Sequence, residues 1–143
     1  MKLWDYYKII NFPKGKKHIK KTFDLIHNAE DVENIEVITY KLHSRIYRDL
    51  RAFKTSQYNI AYLMRNKKGF NTVLFRINYD VVITDNKGIV LDLFVNQEPG
   101  FVSEYYKDGY NIYFFVVGQI KFMDIKVKDQ LNLRLQIWDK IIA

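Results

Sequence analysis

Apolar and polar residues alternate strictly from Gln130 to Trp138, with Leu131, Leu133, Leu135 and Ile137 on one parity and Asn132, Arg134 and Gln136 on the other. A period of two predicts a β-strand that turns its leucines to a core and its polar residues to water. Two β-branched runs, Val81-Val82-Ile83-Thr84 and Ile89-Val90, flank Asp85-Asn86-Lys87-Gly88. A glycine closing a short polar loop supplies the positive φ of a hairpin turn, so a hairpin with Gly88 at φ > 0 is predicted. The whole stretch from Phe70 to Pro99 reads as a strand, this hairpin and a long return strand.

Other segments follow the same two periods. Ile35 to Leu42 alternates as a strand, and His43 to Phe53 carries Ile46, Leu50 and Phe53 at helical spacing. Tyr58 to Met64 is apolar on both parities, as a central strand would be, and Tyr110 to Val117 is a further strand. Gly118 to Met123 has room for one helical turn. Between Lys16 and Asn28, Ile19, Phe23 and Ile26 recur at helical spacing with lysines between them, which predicts a helix. Residues 1–13 read as a short helix or strand ended by Pro13-Lys14-Gly15, and Gln97 to Gly100 and Asp108-Gly109 read as turns. Phe101 to Tyr106 follows neither period.

About seven strands separated by turns every 8–12 residues or so predict a mainly β chain. The expected architecture is a small antiparallel β-sandwich or barrel with one to three short peripheral helices. It is read as a single domain over residues 1–143, in which residues 1–34 form an N-terminal extension with a basic helix and residues 35–143 the β domain.

Composition narrows the chemistry. The 143 residues contain no cysteine, which excludes a disulfide framework, thiolate catalysis and cysteine-ligated zinc. No apolar run approaches a membrane span and the first residues lack a signal-peptide pattern, so a cytoplasmic protein without a membrane span is expected. The net charge of +7 raises attraction to nucleic acid, with Lys14, Lys16, Lys17, Lys20 and Lys21 as the candidate phosphate contacts. A solvated helix face is the plainer reading of that cluster. Lysine excess alongside abundant Asn, Ile, Tyr and Phe also matches A/T-rich codon usage.

Residues with catalytic potential are sparse. His18, His27 and His43 form no i, i+3 or i, i+4 pair, which leaves no histidine metal motif. Ser44 follows His43 directly, and adjacent residues on a helix diverge too far to make a nucleophile–base pair. Asp80, Asp85 and Asp92 flank the hairpin; Asp85 suits a turn residue, and Asp80 in an apolar strand calls for a partner such as Arg48 or Arg76. The glycines are scattered one to a turn, so no phosphate-cradling loop exists, and no cofactor or metal is expected.

From about Ile35 onward the chain resembles the family known as domain of unknown function 192. Arg48 matches an Arg that in the family precedes Gly-Leu-Met, where this chain has Arg51-Ala52-Phe53. Phe70 to Phe75, with Thr72, stands where some members have Ile-His-Thr-aromatic-aromatic-Met, and Tyr79-Asp80-Val81 stands for Ile-Asp-Val. Asp85, Gly88, Val90 and Pro99 match the hairpin pattern. Gly118-Gln119-Ile120 and Ile125-Lys126-Val127-Lys128-Asp129 resemble the closing one. The resemblance covers roughly residues 35–137 and implies a mostly antiparallel β fold with one or two short helices and no established activity.

Three functions compete on this basis. The first is a non-catalytic domain binding a small ligand or a protein, with Arg48, Thr72 and Asp80 as candidate binding residues near the Arg48 helix and a Thr72–Asp80 strand. The second is a nucleic-acid-binding accessory protein using Lys14 to Lys21. The third is a hydrolase using Asp80.

Overall fold

Two segments that are largely apolar on both parities, Tyr79–Thr84 and Asn111–Val116, are buried at every residue. They lie side by side inside the sheet, as continuous apolar strands must. The computed structural model describes residues 20–52 and 59–136, which form β1 (Lys21–His27), β2 (Glu30–Thr39), α1 (His43–Arg51), β3 (Ile60–Arg65), β4 (Tyr79–Thr84), β5 (Val90–Gln97), β6 (Asn111–Val116), α2 (Gln119–Met123) and β7 (Leu131–Leu135). The strands make one sheet in the order β5-β4-β6-β3-β2-β1-β7. All neighbours are antiparallel except β2 and β3, whose parallel pairing of Val37 with Ala61 requires the crossover that carries α1.

The chain is thus mainly β, as the alternation predicts, but it is a single mixed sheet and not two packed antiparallel sheets. Nor does it close into a barrel. The sheet curls, and among the described residues its two edges meet at one end, where Ile89 bridges Gln130 and the Val90 amide donates to the Asp129 carbonyl at 2.8 Å. The concave face holds Phe23, Leu25, Val37, Leu63, Val82, Tyr113, Phe115 and Leu131, with Ile120 of α2 and Ile125 packed in among them. The opposite face holds Tyr79, Val81, Ile83, Ile112 and Phe114 beneath Ile46, Tyr47 and Leu50 of α1. In α1 these three residues make one stripe, and Arg48 and Arg51 in the last turn complement the helix dipole.

The N-terminal reading needs correction. Residues 21–27 are strand β1 and not part of a basic helix: Phe23 and Leu25 are buried on alternate positions, while Lys21 is exposed. Asn28 and Ala29 follow at φ 50° and 68°, the paired positive values of a two-residue hairpin turn, and β2 returns from Glu30. β1 and the start of β2 therefore belong to the sheet body, not to an extension ending at residue 34. The segment 1–13 and the cluster residues Lys14, Lys16 and Lys17 lie outside the described residues.

Two further segments differ. Residues 70–78 are not a strand; among the described residues one bridge, Asn71 to Val102, is their only ladder contact, and Leu74 turns the chain at φ 65°. In the edge strand β7 the alternation fades along its length: Leu131 is buried, Leu133 is partly buried against the core, and Leu135 is 46% exposed. Asn132 and Arg134 face solvent as expected, Gln136 is half-buried, and Ile137 lies outside the described residues.

Candidate functional site

The turn at residues 72–75 is fastened from several sides. The Thr72 hydroxyl donates to the Glu98 carbonyl at 2.8 Å and accepts the Phe101 amide at 2.9 Å, while the Thr72 and Gly100 amides complete the ring through Phe101 and Thr72 carbonyls. The Arg51 Nε donates to the Val73 carbonyl at 3.0 Å, and its guanidinium lies 5.4 Å above the Tyr47 ring. Residues 68–72 and 100–106 so form an irregular two-stranded ribbon, with reciprocal bonds between Phe70 and Ser103 and a Tyr106 amide donating to Lys68.

An open groove of about 400 Å³ lies along this ribbon. Its floor is Phe70, which is 4% exposed and set edge-on against Phe94 and Phe114. One wall is Tyr47 of α1, whose hydroxyl accepts the Asn71 amide at 3.3 Å and whose burial raises its pKa. The rim is apolar and exposed, with Val102 at 69% and Tyr105 at 74%. Lys67, Lys68 and Glu104 supply the charge. Aromatic and aliphatic rim groups on a fixed backbone suit binding more than reaction. The Ser103 hydroxyl accepts the Phe70 amide and donates to the Glu104 carbonyl, so it is engaged with main chain and not with a base.

The residues singled out in the sequence do not converge. Thr72 is fully buried and works as the fastener just described. Arg48 is exposed on α1 and makes no ion pair among the described residues. Asp80 is fully buried on the other face of β4, because Tyr79 and Val81 on either side of it face α1. Its carboxylate meets neither Arg48 nor Arg76. Oδ1 accepts the Asn96 amide at 2.8 Å, and Oδ2 accepts the amides of Gly118 at 2.9 Å and Ile120 at 3.0 Å. Three main-chain donors satisfy the charge and tie β5 and the start of α2 to β4. Lys20 and Lys21 are exposed at the start of β1.

Elsewhere, His27 Nε2 lies 2.7 Å from Asp129 Oδ2 where the sheet edges meet, a pairing across 102 residues that no local spacing signals. A groove of about 460 Å³ over β1 and β2 is acidic, yet Arg134 already pairs there with Asp24 at 3.3 Å and Asp31 at 3.1 Å. Among the described residues no three His, Asp or Glu side chains gather as a metal site, and no helix is long and apolar enough to cross a membrane. The groove residues Lys67, Lys68, Val102 and Tyr105 are absent from the sequence-based candidates. Their one signal is that apolar side chains in the aperiodic stretch 101–106 have no strand face to occupy.

No protein-family model and no curated protein matches the chain. Two solved structures share its fold. A candidate transcription regulator from Sinorhizobium meliloti 1021 superposes with a TM-score of 0.64 at 13% identity, covering 80% of this chain and 94% of its own. A protein of unknown function from Novosphingobium aromaticivorans gives 0.59 at 9% identity, covering 78% and 83%. At such identities the likeness is one of fold, which many functions share.

Proposed function

We propose that the protein is a non-catalytic β domain that binds a small ligand or a segment of a partner protein in the groove beside α1. The observation that carries this reading is the exposure of Val102 and Tyr105 on a ribbon pinned by Thr72, Phe70 and Ser103. Large apolar groups held rigidly at a surface lose little entropy on binding. The engagement of Asp80 by three amides weighs against a hydrolase built on it. Membership of the family known as domain of unknown function 192 is part of the same proposal and rests on the order and spacing of the motifs through Arg48, Asp80, Asp85, Gly88, Val90 and Pro99. A second reading, nucleic-acid binding through Lys14, Lys16, Lys17, Lys20 and Lys21, draws on the exposure of Lys20 and Lys21.

The test is amide chemical-shift mapping of the labelled protein against a library of small aromatic and aliphatic fragments and short peptides. Shifts should cluster at residues 67–71 and 102–105 and disappear in Val102→Glu and Tyr105→Glu, whose exposed side chains can change without disturbing the core. Shifts scattered over the surface would sink the reading.

A further inference from the structure

A second open groove of about 430 Å³ lies beside the first, lined by Lys68, Asp85, Lys87, Lys107, Asp108 and Tyr110. Lys68 is common to both grooves. Its ammonium donates to the carbonyls of Lys107 at 2.8 Å and Gly109 at 3.1 Å, which fixes a positive charge between them and leaves its third N–H for a ligand. Lys67 lines the first groove, and Lys87 and Lys107 line the second. Tyr105, 74% exposed, lines the first groove, and Tyr110, 37% exposed, lines the second. Asp85 is the least available of the nearby carboxylates, because its Oδ1 accepts the Lys87 and Ile89 amides, both at 2.9 Å. Asp85, Glu104 and Asp108 offset three of the four lysine charges and leave the combined lining cationic by one.

Lysines lining two adjoining grooves, with an exposed tyrosine at each, match single-stranded nucleic acid, whose phosphates repeat and whose bases all offer a stacking face. An acidic peptide held by the lysines alone would not need the Tyr105 ring, so the Tyr105→Ala arm of the test separates the two ligands. We propose that single-stranded nucleic acid crosses from one groove to the other over Lys68, with bases stacked on Tyr105 and Tyr110 and phosphates on Lys67, Lys87 and Lys107. This rests on the groove above being a binding surface and assigns it a polynucleotide in place of the small ligand or protein segment; it does not depend on the lysines at positions 14–21.

Fluorescence anisotropy with labelled oligo-dT of 15 nucleotides tests the proposal on the full chain. With the free N–H of Lys68 also on a phosphate, the four lysine contacts predict a log K against log[salt] slope of about −2.8, at about 0.7 per contact for single strands. The triple variant Lys67→Glu, Lys87→Glu, Lys107→Glu should weaken binding at least about tenfold and flatten the slope by about 2. Tyr105→Ala should weaken it about tenfold at unchanged slope, a readout that charge alone does not move. Changing Lys14, Lys16, Lys17, Lys20 and Lys21 to Glu should leave the groove-dependent binding in place. Absence of binding, insensitivity to Tyr105→Ala, or equal loss in both lysine sets overturns the proposal. Fragment shifts that cluster at residues 102–105 while oligo-dT shifts nothing there overturn it and leave the groove reading standing; if neither probe shifts those residues, both fall.

Discussion

Leu131 donates its amide to the Gly88 carbonyl at 2.8 Å, and the Leu131 carbonyl stands 2.2 Å from the place a Cβ on Gly88 would occupy. The hairpin between β4 and β5 therefore touches the far edge of the same sheet. Gly88 is at φ 85°, a left-handed conformation that costs other residues about 1–2 kcal/mol. Gly88→Ala adds the displacement of a backbone carbonyl to that strain, so a loss of more than about 2 kcal/mol in urea unfolding is expected. A loss below about 1 kcal/mol would mean that the two edges part without cost.

The turn between β1 and β2 offers the opposite change. Ala29 sits at φ 68°, where its Cβ is unfavourable and Gly is the usual residue. Ala29→Gly should raise stability by about 0.5–1 kcal/mol, the relief of strain less the greater freedom of glycine in the unfolded chain. The unfolding midpoint should rise with an unchanged denaturant slope.

These two turns also show what the sequence discloses. The β4–β5 hairpin is legible because its chemistry is local: β-branched runs around an Asp that caps the loop and a Gly that closes it. The β1–β2 turn has Asn28-Ala29 in place of Asn-Gly, so that cue is missing. Phe23 with Ile19 and Ile26 fits a helix, and Phe23 with Leu25 fits a strand; pairing with Val37 and Leu135 decides it, and both lie far along the chain. The strand readings of β3 and β6 survive because runs apolar on both parities lie inside the sheet, and the α1 stripe of Ile46 and Leu50 survives because its burial follows the helical period. The groove was not legible, because the exposure of Val102 and Tyr105 arises only when residues 68–72 meet 100–106. For Asp80 the need for a partner is readable, but the donors are amides 16, 38 and 40 residues downstream, the last two at the start of α2.

Leu131 and Leu135 share a parity in β7 but not an environment. Leu131→Ala empties a fully buried site and should cost about 2–5 kcal/mol, whereas Leu135→Ala removes a half-exposed side chain and should cost well under about 1 kcal/mol. Equal losses at the two positions would place Leu135 in the core as well.

Asp80→Asn keeps size and shape but exchanges one acceptor oxygen for a donor facing a main-chain N–H. A hydrogen bond to a buried charge is worth about 1.5–3 kcal/mol, so one lost bond and one donor–donor contact should lower stability by about 2–4 kcal/mol. Backbone amide exchange should quicken first at Asn96, Gly118 and Ile120. Protection unchanged at all three would show that the carboxylate does not hold them.

At the seam between β5 and β7, acid should act through Asp129. Burial pushes its carboxyl up, but the His27 ring, the Lys126 amide and Asn28 together hold it below the ordinary value of 3.8. A carboxyl lowered by folding stabilises the native state above its unfolded pKa, and that contribution fades as pH falls through the folded value. The window therefore opens near about pH 5 and ends below the ordinary value, on the acid side of neutrality. Asp129→Asn should be less stable than the parent at pH 6, and the two should converge as the pH drops to about 2. His27→Leu should remove part of the same difference, since the ring is one of the groups that lower the carboxyl, and should leave the Lys126 contribution. Because the Asp129 main-chain carbonyl also receives the Val90 amide, proteolysis or amide exchange at Ile89 to Leu91 should rise in parallel. A constant difference between parent and Asp129→Asn from pH 6 to pH 2 would show that the side chain supports the seam by shape alone and not by charge.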